Sequence, residues 1–137
     1  MSDSTRIPAP SRDGTRPATV LVVEDDPAML SLLVTRLQSR GHRCIATAHG
    51  TAAMAAIRHS DFDVLVTDLD VPGVDGVELA ETTRRAGDAP IVVLTGRREA
   101  FADRVRDLAG VTLLEKPCPT AALAGVVEAE LARDRGD

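Results

Sequence analysis

The sequence predicts an α/β domain with a five-stranded parallel sheet covered by helices on both faces, the doubly wound arrangement. Two observations lead to this prediction. Five short apolar segments alternate along the 137 residues with longer stretches of helical periodicity, and this alternation is typical of parallel sheets. The apolar segments are also almost uninterrupted, which indicates strands that are buried on both faces. In such sheets the functional groups lie at the carboxyl ends of the strands.

The apolar segments give the strands. They are expected over Thr19–Val23, Arg43–Ala48, Asp63–Thr67, Ile91–Leu94 and Val111–Leu114. The second segment is the least apolar, as an edge strand would be.

The intervals between the strands give the helices. The first helix is the best defined, because Asp26 can cap it, Pro27 suits its first position and Gly41 suits its end. The others are expected over Gly50–His59, Val77–Arg85, Arg98–Leu108 and from about Thr120 to Arg133.

The chain is expected to hold one folded domain between two short terminal segments. Residues 1–17 are rich in Ser, Thr, Pro, Arg and Asp, which cannot bury enough apolar surface to offset the entropy of ordering. We therefore predict a disordered leader over residues 1–17, a domain over residues 18–134 and a tail over residues 135–137.

Composition argues against several classes of partner. A net charge of -5 and the absence of Trp and Tyr disfavour direct binding of nucleic acid. Cys44 and Cys118 are isolated in the sequence and are expected to be reduced thiols. No signal-peptide segment and no apolar run of membrane-spanning length is present. We expect a cytoplasmic protein that does not bind a membrane.

Four of the predicted strands are followed by reactive polar groups. These groups are Glu24-Asp25-Asp26, Asp68, Thr95 and Lys116. Lys116 is the only lysine, against fifteen arginines, so a compact ammonium is kept at one position only. A cluster of acids, a further carboxylate, a hydroxyl and an ammonium at one sheet edge predict a site that handles phosphoryl groups.

The sequences at these strand ends resemble those of the receiver domains of two-component response regulators. The matching segments are Val-Val-Glu-Asp-Asp-Pro (22–27), Asp-Leu-Asp-Val-Pro-Gly (68–73) with Gly76, Leu-Thr-Gly (94–96) and Leu-Glu-Lys-Pro (114–117). The resemblance covers about residues 18–133. It implies the flavodoxin-like strand order 2-1-3-4-5 and a single-domain regulator. Whether the chain is a piece of a longer protein stays open.

The resemblance assigns roles to these residues. Asp68 matches the phosphoacceptor, and Thr95 and Lys116 match the groups that bind phosphoryl oxygens. The donor would be a histidine kinase or a histidine phosphotransfer protein, and the output would pass to an unidentified protein, with a homodimer possible. The protein would be no enzyme beyond its own phosphorylation and dephosphorylation. The Lys116–Pro117 bond resembles one that is cis in the family.

A divalent cation is expected among the acids, because crowded carboxylates repel one another without one. Mg²⁺ takes carboxylate and phosphate oxygens and keeps several waters. The resemblance implies direct ligation by Asp25 and Asp68, an indirect role through water for Glu24, and a third ligand from the backbone carbonyl of Asp70. Asp26 is expected to cap the first helix instead.

The chain departs from the family pattern at two positions. Leu113 stands three residues before Lys116, where the family usually has Tyr or Phe, and Asp70 is a carboxylate where an apolar or amide residue is more common. Among the remaining polar residues, the three histidines are expected to be solvated and Cys118 to fill apolar space. Arg97 and Arg98 fit either the site entrance or a helix start. The three histidines are His42, His49 and His59.

Two other functions are considered. Leu113 is also compatible with a degenerate receiver that acts only as a protein-binding scaffold. The Asp68-Leu69-Asp70 segment with Thr95 and Lys116 also resembles haloacid-dehalogenase-type phosphatases, although no cap domain is present in the sequence and Asp-x-Asp does not lie near its start.

Overall fold

A computed structural model of the protein describes residues 17–96, 103–105 and 107–135. The strands are β1 (Thr19–Val23), β2 (Arg43–Thr47), β3 (Val64–Asp68), β4 (Ile91–Thr95) and β5 (Val111–Glu115). The helices are α1 (Pro27–Ser39), α2 (Gly50–His59), α3 (Gly76–Ala86) and a C-terminal helix (Thr120–Arg135).

The five strands form one parallel sheet in the order β2-β1-β3-β4-β5, which confirms the predicted fold. Each predicted strand agrees with the observed one to within a residue at either end. β2 is a partly exposed edge strand, as its weaker pattern indicates. The leader at residues 1–16, the end of the tail at 136–137 and most of the predicted helix Arg98–Leu108 lie outside the described residues, although residues 103–105 are helical.

Two apolar layers enclose the sheet. Leu21, Leu65 and Val93 face α2 and α3 in one layer, whereas Val20 and Val66 belong to the layer under α1 and the C-terminal helix. Every residue of β3 and β4 is buried. These central strands are covered on both faces, and for this reason their sequences are uninterruptedly apolar up to the polar residue at each end.

Both ends of α1 follow the sequence prediction. The Asp26 carboxylate accepts hydrogen bonds from the backbone N–H groups of Ala28 (3.0 Å) and Met29 (3.3 Å). At the other end Gly41 adopts a positive φ of 92°, and its N–H bonds to the Gln38 carbonyl. A left-handed residue after the helix is most easily supplied by glycine.

His42 is buried, and the prediction that it is solvated is wrong. It is 3% exposed. Its Nδ1 accepts a hydrogen bond from the N–H of Ala18 (3.1 Å), and its Nε2 lies 2.8 Å from Oε2 of Glu128. Glu128 also accepts hydrogen bonds from Arg40. The cluster joins the start of β1, the end of α1 and the C-terminal helix. His49 and His59 are exposed, as predicted.

The buried cluster gives a prediction about acid stability. Partial burial alone would raise the pKa of Glu128, but the hydrogen bonds and charges of Arg40 and His42 lower it. A carboxylate with a lowered pKa stabilises the fold above its unfolded pKa and loses that contribution as the pH falls through its folded pKa. We expect Glu128→Gln to reduce the free energy of unfolding by about 1–3 kcal/mol at pH 7.

Urea unfolding between pH 7 and pH 3 tests this prediction. The difference between wild type and Glu128→Gln should begin to shrink below the pKa of Glu in the unfolded chain, about 4.3, and should be lost as the pH falls through the lowered pKa of the folded state. Asp134→Asn, an exposed carboxylate on the same helix, is the matched control and should change stability little. A difference that is constant across this pH range would contradict the prediction.

Candidate functional site

The carboxyl edge of the sheet brings together the polar residues that the sequence singles out. Asp68 and Thr95 end β3 and β4, and both are buried, at 5% and 0% exposure. Glu24 and Asp25 follow β1 directly. Lys116 follows β5, and its N–H donates to the carbonyl of Thr95 (2.9 Å). The parallel register places these strand ends side by side, because neighbouring strands all point the same way.

Lys116 joins two buried carboxylates. Its Nζ lies 2.6 Å from Oδ2 of Asp68 and 3.2 Å from Oε1 of Glu24. Glu24 is only 1% exposed, and its second oxygen accepts the N–H of Asp26 (3.1 Å). The second oxygen of Asp68 accepts the N–H of Asp70 (3.0 Å). Each of the four carboxylate oxygens therefore has a donor, as buried charges require.

The ammonium of Lys116 is held in its charged form. Partial burial by itself lowers the pKa of Lys116, but the hydrogen bond and the negative charge of Asp68, followed by those of Glu24, outweigh burial and raise it. Lys116 thus keeps a full positive charge at neutral pH. A compact charge on a flexible stem can exchange one oxygen partner for another without leaving the site.

The acids outnumber this single cation. Glu24, Asp25 and Asp68 each offer a carboxylate oxygen, and the three oxygens lie within 4.8 Å of one another. Asp25 is exposed, so the group opens to solvent on one side. Among the described residues, three carboxylates against one ammonium give this edge a negative charge, and hard oxygen ligands at this spacing suit Mg²⁺. The residues present fit the predicted ion.

The turn after Asp68 depends on glycines. A Cβ on Gly76 would lie 2.4 Å from the carbonyl oxygen of Asp68, and one on Gly50 would lie 1.7 Å from the carbonyl oxygen of Val74. The Gly50 N–H also donates to the carbonyl of Pro72 (2.8 Å). The segment between β3 and α3 is therefore packed directly onto the first turn of α2.

Gly50 is a site-supporting residue that sequence reasoning missed. In the sequence it reads only as the start of an alanine-rich helix. No local pattern indicates that a backbone segment more than twenty positions later lies against it. Gly76, in contrast, belongs to the motif that identifies the turn.

The structure also describes most of the other residues that the sequence analysis singles out near the site. Among the described residues, no atom lies within 4 Å of a Cβ built on Gly96. Leu113 is half-buried, pairs with Val93 and packs on the α2–α3 side of the sheet. The Lys116–Pro117 bond is cis, as the resemblance predicts. Arg97 and Arg98 lie outside the described residues.

Both cysteines are free thiols. Burial raises the pKa of Cys44 to about 11 and also raises that of Cys118. A thiol with a raised pKa stays protonated at neutral pH and is a poor nucleophile. Cys118 packs against the apolar layer under α1, which agrees with its predicted role as an apolar filler.

The chain belongs to the family of response regulator receiver domains, whose sequence profile matches residues 20–128. Transcriptional regulatory protein TcrA of Mycobacterium tuberculosis is 40% identical over 92 residues, which are 66% of this chain and 36% of TcrA. The sensor histidine kinase GacS of Pseudomonas protegens is 35% identical over 119 residues, which are 82% of this chain and 13% of GacS. This chain therefore spans only a minor part of these relatives.

Solved structures agree with this assignment. The chemotaxis response regulator CheY4 of Vibrio cholerae has a TM-score of 0.74 at 25% identity, with 82% of this chain and 98% of that chain covered. Receiver domains interact with histidine kinases and phosphotransfer proteins and generally bind Mg²⁺ in an acidic pocket. Within the described residues, no helix combines the length and apolarity needed to cross a membrane.

The charge balance of the site gives a second prediction. Lys116→Met leaves the buried carboxylates of Asp68 and Glu24 without their shared cation, and should lower the free energy of unfolding by roughly 2–3 kcal/mol near pH 7 in metal-free buffer. Lys116→Arg retains the charge and should recover much of the loss. A Met variant as stable as wild type at pH 7 would show that the ammonium does not balance the acids.

Proposed function

We propose that Asp68 accepts a phosphoryl group from a histidine kinase or a histidine phosphotransfer protein in the presence of Mg²⁺. The observation that carries this proposal is the buried carboxylate of Asp68, 2.6 Å from the Lys116 ammonium and beside the acids Glu24 and Asp25. A carboxylate kept ionised next to cationic groups can attack phosphorus, provided that the charge on the transferred group is neutralised.

The residues divide the work of the transfer. An Asp68 oxygen forms a bond to phosphorus as the bond from phosphorus to the donor nitrogen breaks, and the donor imidazole leaves with that electron pair. Lys116 moves from the acceptor oxygen of Asp68 toward a phosphoryl oxygen. Glu24 keeps the hydrogen bond that it accepts from the N–H of Asp26. The hydroxyl of Thr95 donates to another phosphoryl oxygen, and Gly96 adds no side chain beside it.

Mg²⁺ would be held by Asp25 and Asp68 directly, by Glu24 through water and by the backbone carbonyl of Asp70, and when bound it would neutralise charge on the transferred group. Because Asp68 is only 5% exposed, its carboxylate has little contact with bulk water. The N–H of Asp70 orients one oxygen of the acceptor, so that the other is presented toward Lys116.

The phosphorylated domain acts in the cytoplasm by binding an unidentified output protein, without direct binding of nucleic acid or membrane. A homodimer of the domain is compatible with this role. It performs no catalysis beyond its own phosphorylation and dephosphorylation. The chain belongs to the receiver-domain family, which argues against the function of a haloacid-dehalogenase-type phosphatase. The intact contacts of Asp68 and Lys116 also favour a working acceptor over a degenerate scaffold.

Asp68→Asn tests the acceptor directly. The amide has the same shape and should fold, but it cannot act as a nucleophile, so incorporation of phosphate from a small phosphodonor with Mg²⁺ should be lost. The matched control is Asp70→Asn, two residues later on an exposed side chain, which should still be phosphorylated. Labelling of Asp68→Asn to the wild-type level, measured by intact mass, would exclude Asp68 as the acceptor.

Metal binding is tested by stability. A cation that binds only the folded state at about 100 times its dissociation constant adds roughly 2.7 kcal/mol, so Mg²⁺ should raise the melting temperature of the unmodified protein. Asp25→Ala should abolish this response and raise the melting temperature without metal by relieving repulsion among the acids. Asp107→Asn, an exposed carboxylate elsewhere, should keep the response. An unchanged Mg²⁺ response in Asp25→Ala would contradict the proposed ligation.

A further inference from the structure

The loop that follows the acceptor is attached to the first turn of α2. We call residues 69–75 the acceptor loop, because they connect Asp68 at the end of β3 to the start of α3. The proposed transfer uses the beginning of this loop, at Asp70, but no residue of α2. The contacts between the acceptor loop and α2 connect this helix to the site.

The first contact is a backbone hydrogen bond. The N–H of Gly50 donates to the carbonyl of Pro72 (2.8 Å). Gly50 is the first residue of α2, and the first N–H groups of a helix have no acceptor within the helix itself. The acceptor loop therefore supplies the acceptor that the start of α2 requires, and this bond holds the loop at Pro72.

The second contact is a close approach of two backbones. A Cβ on Gly50 would lie 1.7 Å from the oxygen, 2.5 Å from the carbon and 2.7 Å from the nitrogen of Val74. These are all backbone atoms, so no side-chain rotation can make room for them. Next to this contact, a Cβ on Gly73 would lie 2.8 Å from Oγ1 of Thr51. The acceptor loop is thus fixed on α2 over residues 72–74.

These contacts determine where Asp70 lies. The N–H of Asp70 donates to Oδ1 of Asp68 (3.0 Å), and two residues further on Pro72 is held by Gly50. The backbone carbonyl of Asp70, the third protein ligand proposed for Mg²⁺, lies between these two anchors. A backbone carbonyl cannot rotate as a side chain does to compensate for a displaced loop, and Mg²⁺ requires near-ideal octahedral geometry.

We propose that Gly50 is a positioning residue for the acceptor site. By permitting close backbone contact between α2 and the acceptor loop, it places the carbonyl of Asp70 and thereby sets the affinity of the site for Mg²⁺. This inference rests on the proposed function and adds to it a residue that is itself no ligand of the metal. Any side chain at position 50 displaces the loop or the helix, because the contact has no space for a Cβ.

Mg²⁺ titration of the ¹⁵N-labelled, unphosphorylated protein tests this proposal. The dissociation constant, measured from the amide shift of Asp70, should rise about ten- to a hundredfold in Gly50→Ala, the usual effect of losing a residue that orients a metal ligand. Phosphorylation of the variant by a small phosphodonor should be slow at the Mg²⁺ concentration that half-saturates wild type. Saturating Mg²⁺ should restore its rate.

Two control variants separate positioning from stability. Gly87→Ala makes the same substitution where, among the described residues, a Cβ meets no atom within 4 Å, and it should bind Mg²⁺ like wild type. Ile57→Val removes a methyl group from a buried residue of α2 and should lower the melting temperature without changing the dissociation constant. All variants are compared well below their melting temperatures.

A measurement on wild type covers a Gly50→Ala variant that does not fold. Coupling between two sites is reciprocal, so Mg²⁺ binding should also change the environment of the α2 start. The amide of Gly50 should shift during the titration with the same dissociation constant as that of Asp70. The amide of Ser60, at the other end of α2, should not shift. A Gly50 amide that is unchanged at saturation overturns the proposal.

The outcomes distinguish this inference from the proposed function. If wild type binds Mg²⁺ and Gly50→Ala binds it equally tightly, only the inference is overturned. The same holds if Ile57→Val loses as much affinity as Gly50→Ala, because the loss would then follow stability. A wild-type protein that does not bind Mg²⁺ overturns the proposed metal site and this inference together.

Discussion

The contact of Lys116 with Asp68 and Glu24 is the interaction on which the functional edge depends. Two carboxylates that are 5% and 1% exposed would repel each other strongly in a medium of low dielectric constant. One ammonium shared between them offsets this repulsion within the buried edge. In the proposed transfer this contact also prepares the chemistry, because a cation that is hydrogen-bonded to the acceptor before transfer is already beside the oxygens that arrive with phosphorus.

The fold supplies the positions for this contact. Parallel strands bring Asp68, Thr95 and Lys116 to one edge, and the cores on both faces fix the strands. The turn that carries Asp68 is further constrained by backbone packing, since neither Gly50 nor Gly76 has room for a Cβ. Leu113 is half-buried against the α2–α3 layer and has no polar group that could exchange between solvent and interior. If Thr95 moves on phosphorylation as proposed, we expect that movement to be coupled more weakly to β5 than in a receiver with an aromatic residue at this position.

Much of this could be predicted from the sequence, and the reasons for success and failure are physical. Strands buried on both faces have an apolar signature that is local, and Asp26 and Gly41 mark the ends of α1 through local turn chemistry. The polar residue at each strand end can also be recognised from its immediate sequence. Two contacts could not be predicted in this way, those of His42 with Glu128 and of Gly50 with Val74. Each joins segments that are distant in sequence, and the sequence around His42 or Gly50 does not indicate a partner.

The proposed function requires that the carboxylate of Asp68 becomes an acyl phosphate. After incubation with a small phosphodonor and Mg²⁺, reduction with borohydride converts an aspartyl phosphate into homoserine, and peptide mass mapping then locates it. We expect homoserine at residue 68 alone, with a yield that depends on Mg²⁺ and on Lys116. Modification at another carboxylate, stable label on a histidine, or full conversion of Asp68 without metal would contradict it.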